Sequence, residues 1–352
     1  MAAENLPDLP VGESSLLEHQ VAGHGNIVTV EGDDEIIIKP CNETERTFYE
    51  NAVAYPDFQL FMPHYYGSLS LTETADSLTG QVETPPSIQS METNATPRPP
   101  PMPLEMLNQP KRAPSLKHAV CLENLLYGFS KPCIMDLKMG QRLYDDQASE
   151  AKRQWGIEAA RSTTTGCLGL RISGIEVFDQ DKCDYVQYSG NYGKSLTKDT
   201  IPDGFRAFLP LSMKQEYREF LIKEFTLALT EMIKVVEAHE LRMYGSSLLF
   251  VYEGDSQRRD RILAENNLDE EDDESFSEEF DNDGRSSLPN TTDMEDSGFS
   301  SDDDEEEEED DNMLYDLRII DFAHSTWCPS QGTDTGFLFG VRNTRDVLYT
   351  VL

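Results

Sequence analysis

The stretch Pro132-Cys133-Ile134-Met135-Asp136-Leu137-Lys138-Met139-Gly140 decides the fold. Its apolar run is typical of a buried β-strand, and side chains alternate between strand faces, so Asp136 and Lys138 share a face. A carboxylate beside an ammonium suits phosphoryl transfer, because the ammonium offsets phosphate charge while the carboxylate holds a hydroxyl or a metal ion. An isolated Asp-x-Lys is more often a surface ion pair, so this interpretation needs support from other motifs.

A second motif lies near the carboxyl end of the chain, at Ile319-Ile320-Asp321-Phe322-Ala323-His324. An apolar strand that runs into an aspartate and then an aromatic residue is the arrangement in which kinases hold a metal-binding aspartate. Carboxylate oxygens are hard ligands that suit Mg²⁺. The alternative is an aspartate that caps the following turn.

A third motif is a lysine that closes an apolar strand. Lys39 follows three isoleucines, and the helix predicted after it carries Glu45. This order resembles the strand lysine and helix glutamate that form an ion pair in kinases. A lysine in this position is by itself more often an ordinary exposed residue at a strand end.

Several other catalytic signatures are missing from the sequence. There is no G-x-x-x-x-G-K-[ST], no G-x-G-x-x-G, no H-R-D catalytic loop and no G-x-S-x-G. These absences exclude a P-loop enzyme, an ordinary protein kinase and a serine hydrolase of the nucleophile-elbow type. The six cysteines are scattered without metal-ligand spacing, which indicates reduced thiols rather than a zinc site or a disulfide framework.

The charge of the chain is strongly acidic but unevenly distributed. With 66 acidic and 29 basic residues the formal net charge is −37, which excludes a free-standing nucleic-acid binder and a general ligand of anionic membranes. Between Glu265 and Asp311 there are 24 acidic residues and one basic residue. Most of the excess therefore belongs to one segment, and it does not oppose a polyphosphate bound in a local basic pocket.

Two segments are expected to be disordered insertions within a folded domain. The first, residues 73–117, is rich in proline, serine and threonine, and the second, residues 263–312, contains the acidic tract. Patterned sequence flanks both, and long surface insertions cost little closure entropy. Residues 1–17 are expected to be a flexible amino terminus. No apolar run approaches the ~20 residues that a membrane helix needs.

The remaining sequence contains clear secondary-structure patterns. Apolar spacing and turn residues predict a hairpin over 27–39, helices over 42–53, 148–161, 214–240 and 336–352, and strands over 119–126, 247–252 and 317–320. Ser212 with Gln215 predicts a capping box at the start of the helix over 214–240.

Taken in order, these motifs resemble the inositol polyphosphate kinase family. The family hallmark P-x-x-x-D-x-K-x-G is matched by residues 132–140, its Ser-Ser-Leu-Leu element by 246–249, and its terminal Ile-Asp-Phe-Ala-His by 320–324. The resemblance covers nearly all of the ordered sequence from His19 onward. Within the family, residues 192–201 look most like the multikinase branch, and the acidic insertion looks like that of fungal members.

The resemblance implies an α+β fold with two lobes, distantly related to protein kinases. Residues 18–126 would form the N-lobe and residues 127–352 the C-lobe, which contains an inositol-phosphate-binding segment over 141–165. ATP would lie between the lobes. The residues that match ATP-binding positions are Lys39, Glu123, Leu125, Asp136 and Asp321.

The resemblance also implies roles in catalysis and substrate binding. Asp136 and Lys138 match the catalytic pair, and Asp321 matches the Mg²⁺ ligand. The substrate-binding candidates are Lys138, Lys152, Arg153, Arg161 and His324. Arg153 and Arg161 are candidates because a polyanion needs nearby cations. In multikinases a glutamine-rich helix face often follows the position of Lys152, and this chain departs from it.

The sequence thus predicts an ATP- and Mg²⁺-dependent kinase of inositol trisphosphate and tetrakisphosphate. The alternatives are a trisphosphate 3-kinase, a hexakisphosphate kinase, or a transcription-linked scaffold that uses its acidic tract. Possible further partners are basic proteins bound by that tract, and direct nucleic-acid binding is not expected. The expected location is the cytoplasm and nucleus.

Overall fold

The computed structural model describes residues 14–17, 19, 21, 27–30, 33–70, 117–275 and 313–351, with only the backbone of residues 14–16, 30 and 266–275. The strands in chain order are β1 (Ser14–Leu16), β2 (Val28–Val30), β3 (Asp33–Cys41), β4 (Tyr65–Ser70), β5 (His118–Glu123), β6 (Pro132–Met139), β7 (Leu170–Asp179), β8 (Asp184–Tyr188), β9 (Leu241–Met243), β10 (Ser247–Glu253), β11 (Tyr315–Ile320) and β12 (Ser325–Trp327). The helices are α1 (Glu43–Ala52), α2 (Pro56–Gln59), α3 (Glu150–Arg161), α4 (Thr164–Leu168), α5 (Gly190–Ser195), α6 (Ile201–Phe208), α7 (Gln215–Ala238), α8 (Ser256–Ser275) and α9 (Thr335–Tyr349).

The amino-terminal half contains an antiparallel sheet in the order β1-β2-β3-β5-β4. Strands β2 and β3 form the predicted hairpin, and β3 pairs with β5 so that Lys39 lies opposite Val120. Asn42 caps α1, because its side chain accepts a hydrogen bond from the Glu45 N–H. The hairpin and helix predictions are confirmed here, and together they place Lys39 and Glu45 near each other.

The carboxyl-terminal half contains a second antiparallel sheet, in the order β11-β10-β6-β7-β8. The hallmark stretch forms its central strand, β6, in which Lys138 pairs with Ser247 on one side and Arg171 on the other. Two antiparallel sheets with separate helices make this an α+β fold, as predicted. Because β6 is the central strand, its backbone is hydrogen-bonded to β10 on one side and β7 on the other, and this pairing fixes the positions from which its side chains project.

Helix α7 supplies much of the core beneath this sheet. Its apolar residues recur every three or four positions and are buried, namely Tyr217, Leu221, Phe225, Leu229, Met232, Ile233 and Val236. Burying each large apolar side chain contributes about 1.5–3 kcal/mol. The predicted capping box is wrong: the helix begins after Lys214, and no side chain caps it. Packing of the apolar face stabilises the helix without the cap.

Aromatic packing and backbone contacts join the two halves. The Phe48 ring of α1 stacks on Phe322 and on Trp327, with centroid distances of 4.4 and 5.0 Å. The Ile319 N–H in β11 donates to the Phe61 carbonyl at 2.6 Å. These contacts hold the turn that follows β11 against α1 and β3.

Two predicted boundaries differ from the structure. Residues 14–16, expected to be flexible, form β1, which pairs with β2. Residues 263–275, expected to open the acidic insertion, continue α8. The start of α8 is anchored by Asp255, which accepts the Gln257 N–H at 2.8 Å, and by Ile262, which is fully buried. The other predicted insertion residues, 73–116 and 276–312, and residues 1–13 lie outside the described residues.

Across the described ranges, no helix is both long enough and apolar enough to cross a membrane.

Candidate active site

A cleft between the two sheets brings together most of the predicted nucleotide-binding residues. Its walls are mainly aliphatic, with Leu17, Val21, Ile27, Ile37, Leu122, Leu125, Leu126, Ile134, Leu249 and Ile320 among the lining residues. Lys39, Asp136 and Asp321 supply charged groups to the same cleft. An apolar slot that also contains charged groups can hold a flat ring system that carries an anionic tail.

The segment after β5 forms one edge of the cleft. The Glu123 N–H donates to the His64 carbonyl at 2.9 Å, and the Asn124 N–H donates to the Glu35 carbonyl at 2.7 Å. In the described part of the chain, the Leu125 N–H has no such partner. Leu125 therefore offers a backbone donor to a ligand, while its neighbours hold the segment in place.

Lys39 connects α1 to the turn after β11. Its Nζ atom donates to Oε1 of Glu45 and to Oδ1 of Asp321, each at 2.8 Å. Burial opposes the charge on Lys39, but the attraction of Asp321 and Glu45 outweighs it and raises the lysine pKa well above its usual value. Lys39 is therefore a permanent cation in the cleft.

Asp321 lies between two lysines. Besides the contact with Lys39, its Oδ2 atom lies 3.5 Å from Nζ of Lys138. Burial favours the neutral acid, but Lys39 and Lys138 reverse this effect and lower the pKa of Asp321 to about 2. Its backbone has a φ of 65°, a left-handed conformation that costs about 1–3 kcal/mol for residues other than glycine. The fold therefore holds an ionised carboxylate in a strained position.

Asp136 has the opposite electrostatic character. Its side chain is buried at 4% exposure, and burial raises its pKa to about 6, although the nearby Lys138 opposes the shift. Its Oδ1 atom is buried and accepts no hydrogen bond from the described residues. An unpartnered carboxylate oxygen that titrates near neutral pH can accept a hydrogen bond or a proton from a bound hydroxyl.

Lys138 lies beside Asp321, and His324 follows Asp321 by three residues in the chain. Lys138 donates to the Gly245 carbonyl at 2.9 Å, and Nδ1 of His324 lies 2.7 Å from Oδ2 of Asp145. Burial lowers the pKa of His324, and the positive charge of Lys152 lowers it further. The charge of Lys152 therefore acts on the imidazole of His324, which is consistent with the predicted role of both residues at one substrate site.

Arg153 and Arg161 occupy different positions in α3. Arg153 donates through Nε to the Ala148 carbonyl at 2.8 Å and through Nη2 to the Asp146 carbonyl, at the start of the helix. Arg161 pairs with Glu158, and its side chain is 75% exposed. Neither guanidinium contacts Lys138, Asp321 or His324 within the described residues, so their predicted role in substrate binding stays a prediction.

Arg171 is not among the residues that the sequence motifs indicate. The register of β6 and β7 pairs it with Lys138, so both side chains lie on one face of the sheet. Its pKa is lowered by burial, while the charge of Asp136 opposes the shift. No hydrogen bond or ion pair engages its guanidinium in the described part of the chain. The sequence shows Arg171 between two apolar residues, Leu170 and Ile172, but it does not show that Arg171 pairs with Lys138.

Comparison with known proteins gives a consistent relationship. The sequence model of the inositol polyphosphate kinase family matches residues 119–349. An inositol polyphosphate multikinase of Saccharomyces cerevisiae is 28% identical over 373 residues, which covers 96% of this chain and 98% of that protein. The Schizosaccharomyces pombe inositol polyphosphate multikinase is 31% identical over 240 residues, which covers 68% of this chain and 79% of the relative.

Hexakisphosphate kinases are also similar but are matched over less of their length. Mouse inositol hexakisphosphate kinase 3 is 27% identical over 235 residues, which covers 64% of this chain and 49% of the mouse protein. Among solved structures, the S. cerevisiae inositol phosphate multikinase Ipk2 in complex with ADP and Mn²⁺ superposes with a TM-score of 0.59 at 25% identity. That superposition covers 90% of this chain and 98% of the yeast chain.

Proposed function

Because the chain belongs to the inositol polyphosphate kinase family, we propose that it is a multikinase that uses ATP and Mg²⁺. It transfers the γ-phosphoryl group of ATP to hydroxyls of inositol trisphosphate and tetrakisphosphate, towards the pentakisphosphate. The observation that carries this proposal is the position of Asp321 between Lys39 and Lys138, with Asp136 in the same cleft.

ATP occupies the aliphatic cleft in this proposal. The adenine lies between the aliphatic walls and accepts a hydrogen bond from the Leu125 N–H. The phosphates extend towards Lys39, whose charge is secured by its two carboxylate partners. The S. cerevisiae multikinase, solved with ADP and Mn²⁺, supports a nucleotide and a divalent cation as ligands of this fold.

The metal ion fits the chemistry of Asp321. A carboxylate whose pKa is about 2 is ionised at any physiological pH, and Mg²⁺ commonly binds one or two carboxylates together with substrate phosphates. When bound, the ion offsets negative charge on the phosphates of ATP. Asp321 would hold it, beside Lys39 and Lys138.

The chain's own residues supply the remaining steps. Asp136 orients the attacking hydroxyl and accepts its proton at Oδ1, because its pKa of about 6 leaves it mostly ionised at neutral pH. Lys138 lies on the same face of β6 and offsets the charge of the phosphoryl group in transfer. Lys39 holds the phosphates of the nucleotide from the other sheet.

A cluster of cations, together with the imidazole of His324, recognises the inositol phosphate. Lys138 lies beside Asp321 and beside the unpaired guanidinium of Arg171, and the charge of Lys152 acts on His324. A polyanion can satisfy donors that the protein itself leaves without partners. Arg153 and Arg161 remain candidates for outer contacts with the same ligand.

Product mapping tests this function. The purified chain is incubated with ATP, Mg²⁺ and defined inositol tris-, tetrakis- and hexakisphosphates. We expect stepwise phosphorylation of the trisphosphate and tetrakisphosphate. A single product from the trisphosphate alone would indicate a 3-kinase, and a pyrophosphate from the hexakisphosphate would indicate a hexakisphosphate kinase. No product from folded protein would refute the proposal. The similarity to multikinases over most of their length favours the first outcome.

We also propose a separate role for the acidic tract, as a binding segment for basic proteins. Its support is the local excess of 24 acidic residues over one basic residue between Glu265 and Asp311. Deletion of residues 276–312 should leave turnover intact and weaken binding to a basic protein.

The division into lobes at residues 126 and 127 remains a prediction. The location in the cytoplasm and nucleus also remains a prediction, and imaging of a tagged chain tests it.

A further inference from the structure

We propose that His19 is a positioning residue that fixes one wall of the nucleotide pocket. This inference rests on the proposed function, because it assumes that the cleft binds ATP. Three residues of one amino-terminal segment line the cleft, namely Leu17, His19 and Val21. This segment precedes β3 and β6, the strands that carry Lys39 and Asp136. A chain segment in this position needs anchors outside its own backbone, and the structure contains two.

The first anchor is a side-chain hydrogen bond to β7. Nδ1 of His19 lies 2.5 Å from Oε1 of Glu176, whose side chain is buried at 2% exposure. Gln187 donates to the other carboxylate oxygen, Oε2, at 3.0 Å, and the His19 ring lies 4.5 Å from the Tyr185 ring. A buried carboxylate needs partners on its oxygens, and His19 supplies one of them.

The second anchor is a close backbone approach. A Cβ atom on Gly174 would lie 2.2 Å from the carbonyl oxygen of Val21, so β7 needs a glycine at this point. His19 thus lies over residue 176 and Val21 over residue 174. The segment therefore runs along the face of β7 in the direction opposite to that strand.

The register of the sheet places both anchors beside the pocket. Strand β6 pairs Ile134 with Glu176 and Asp136 with Gly174. Ile134 and Asp136 both line the cleft. Each anchor point of the segment is therefore the cross-strand neighbour of a residue that a bound nucleotide would contact.

The backbone at His19 has a cost that the anchors offset. Its φ of 60° lies in the left-handed region, which glycine adopts freely and asparagine tolerates better than most residues. This preference provides two informative substitutions. His19→Gly suits the backbone and removes the imidazole, whereas His19→Asn suits the backbone and retains a side-chain N–H donor for Glu176.

The test is a titration of each full-length variant with ADP and Mg²⁺, together with steady-state kinetics. For His19→Gly we expect the dissociation constant for ADP and the KM for ATP to rise about tenfold, since a hydrogen bond to a buried charged group is lost. Because this anchor affects binding alone, kcat and the KM for inositol phosphate should change less than about twofold. His19→Asn should recover most of the nucleotide affinity.

A second substitution acts on the other anchor. Gly174→Ala should displace Val21 and weaken ADP binding in the same way while His19 is intact, and it keeps the proposal testable if His19→Gly fails to fold. The matched control is His239→Asn. It alters a second histidine–carboxylate contact, to Asp57 at 2.9 Å, at the end of α7 and away from the cleft. We expect no change in nucleotide affinity there.

Folded His19→Gly protein that binds ADP as tightly as the wild type would overturn the inference. A fall in kcat with unchanged KM for ATP would overturn it as well, because it would indicate a smaller folded fraction rather than a weakened wall. A wild-type chain that binds no ADP would instead refute the proposed function, and the inference with it.

Discussion

Nζ of Lys39 lies 2.8 Å from Oδ1 of Asp321, although the two residues are 282 positions apart in the chain. Lys39 ends an apolar run in the first sheet, and Asp321 follows the edge strand of the second. Their contact joins the two sheets across the cleft. It also fixes the ionisation of both groups, because each charge favours the charged form of the other.

The charge of Asp321 should be indispensable for turnover. Asp321→Asn keeps the size of the side chain and tolerates the left-handed φ of 65°, but it removes the negative charge between Lys39 and Lys138. We expect kcat to fall about 100-fold or more, as for the loss of one preorganised electrostatic group. Single-turnover kinetics with saturating ATP and Mg²⁺ measures this. Turnover within about tenfold of the wild type would contradict a metal-binding role.

Asp136 should set the acidic limb of the pH profile. Because its pKa is raised to about 6, kcat/KM should fall as the pH drops through 6. Asp136→Asn should remove both this limb and most of the activity. A profile that stays flat below pH 6 in the wild-type chain would exclude Asp136 as the proton acceptor.

Asp136→Asn should also stabilise the folded protein. The folded-state pKa of Asp136 is above its unfolded value of 3.8, so the folded protein binds more protons and loses stability as the pH rises from 3.8 to about 6. Asp136→Asn removes this penalty, which is at most about 3 kcal/mol. We expect a higher melting temperature at neutral pH and little difference from the wild type below pH 3.8. Equal melting temperatures at neutral pH would contradict the raised pKa.

Arg171 should contribute to inositol phosphate binding rather than to nucleotide binding. Arg171→Gln removes an unpaired cation beside Lys138, so we expect the KM for inositol trisphosphate to rise about tenfold, with the KM for ATP unchanged. Arg206→Gln is a matched control, because Arg206 pairs with Asp203 on the exposed face of α6. If the two variants had similar KM values for inositol trisphosphate, Arg171 would not be a substrate-binding residue.

Phe48 should be a main contributor to stability between the halves. Its ring is fully buried and stacks on both Phe322 and Trp327. Phe48→Ala should lower the free energy of unfolding by about 3–5 kcal/mol, because it removes apolar contacts and leaves a cavity. Urea denaturation measures the change. Val53→Ala, at an exposed position after the same helix, is the control and should have little effect.

Local sequence patterns predicted the elements that carry the site. The alternation in 132–140 predicted β6, the spacing after Lys214 predicted α7, and the turn residues before Asp33 predicted the hairpin. Each of these signals depends only on the period of a helix or strand. The missing cap of α7 was not predictable in this way, because packing of the buried face stabilises that helix. The extension of α8 past Leu263 was not predicted either, because its sequence is highly acidic.

The sequence alone predicted the family, the α+β class and the candidate reactive residues Lys39, Asp136, Lys138 and Asp321, because short motifs fix residue types at fixed spacing. The tertiary structure decided the burial of those residues and the charges near them. Burial raises the pKa of Asp136, while two distant lysines lower that of Asp321. Strand register, which depends on contacts between residues far apart in the chain, places Arg171 beside Lys138 and the anchors of His19 and Val21 beside the cleft.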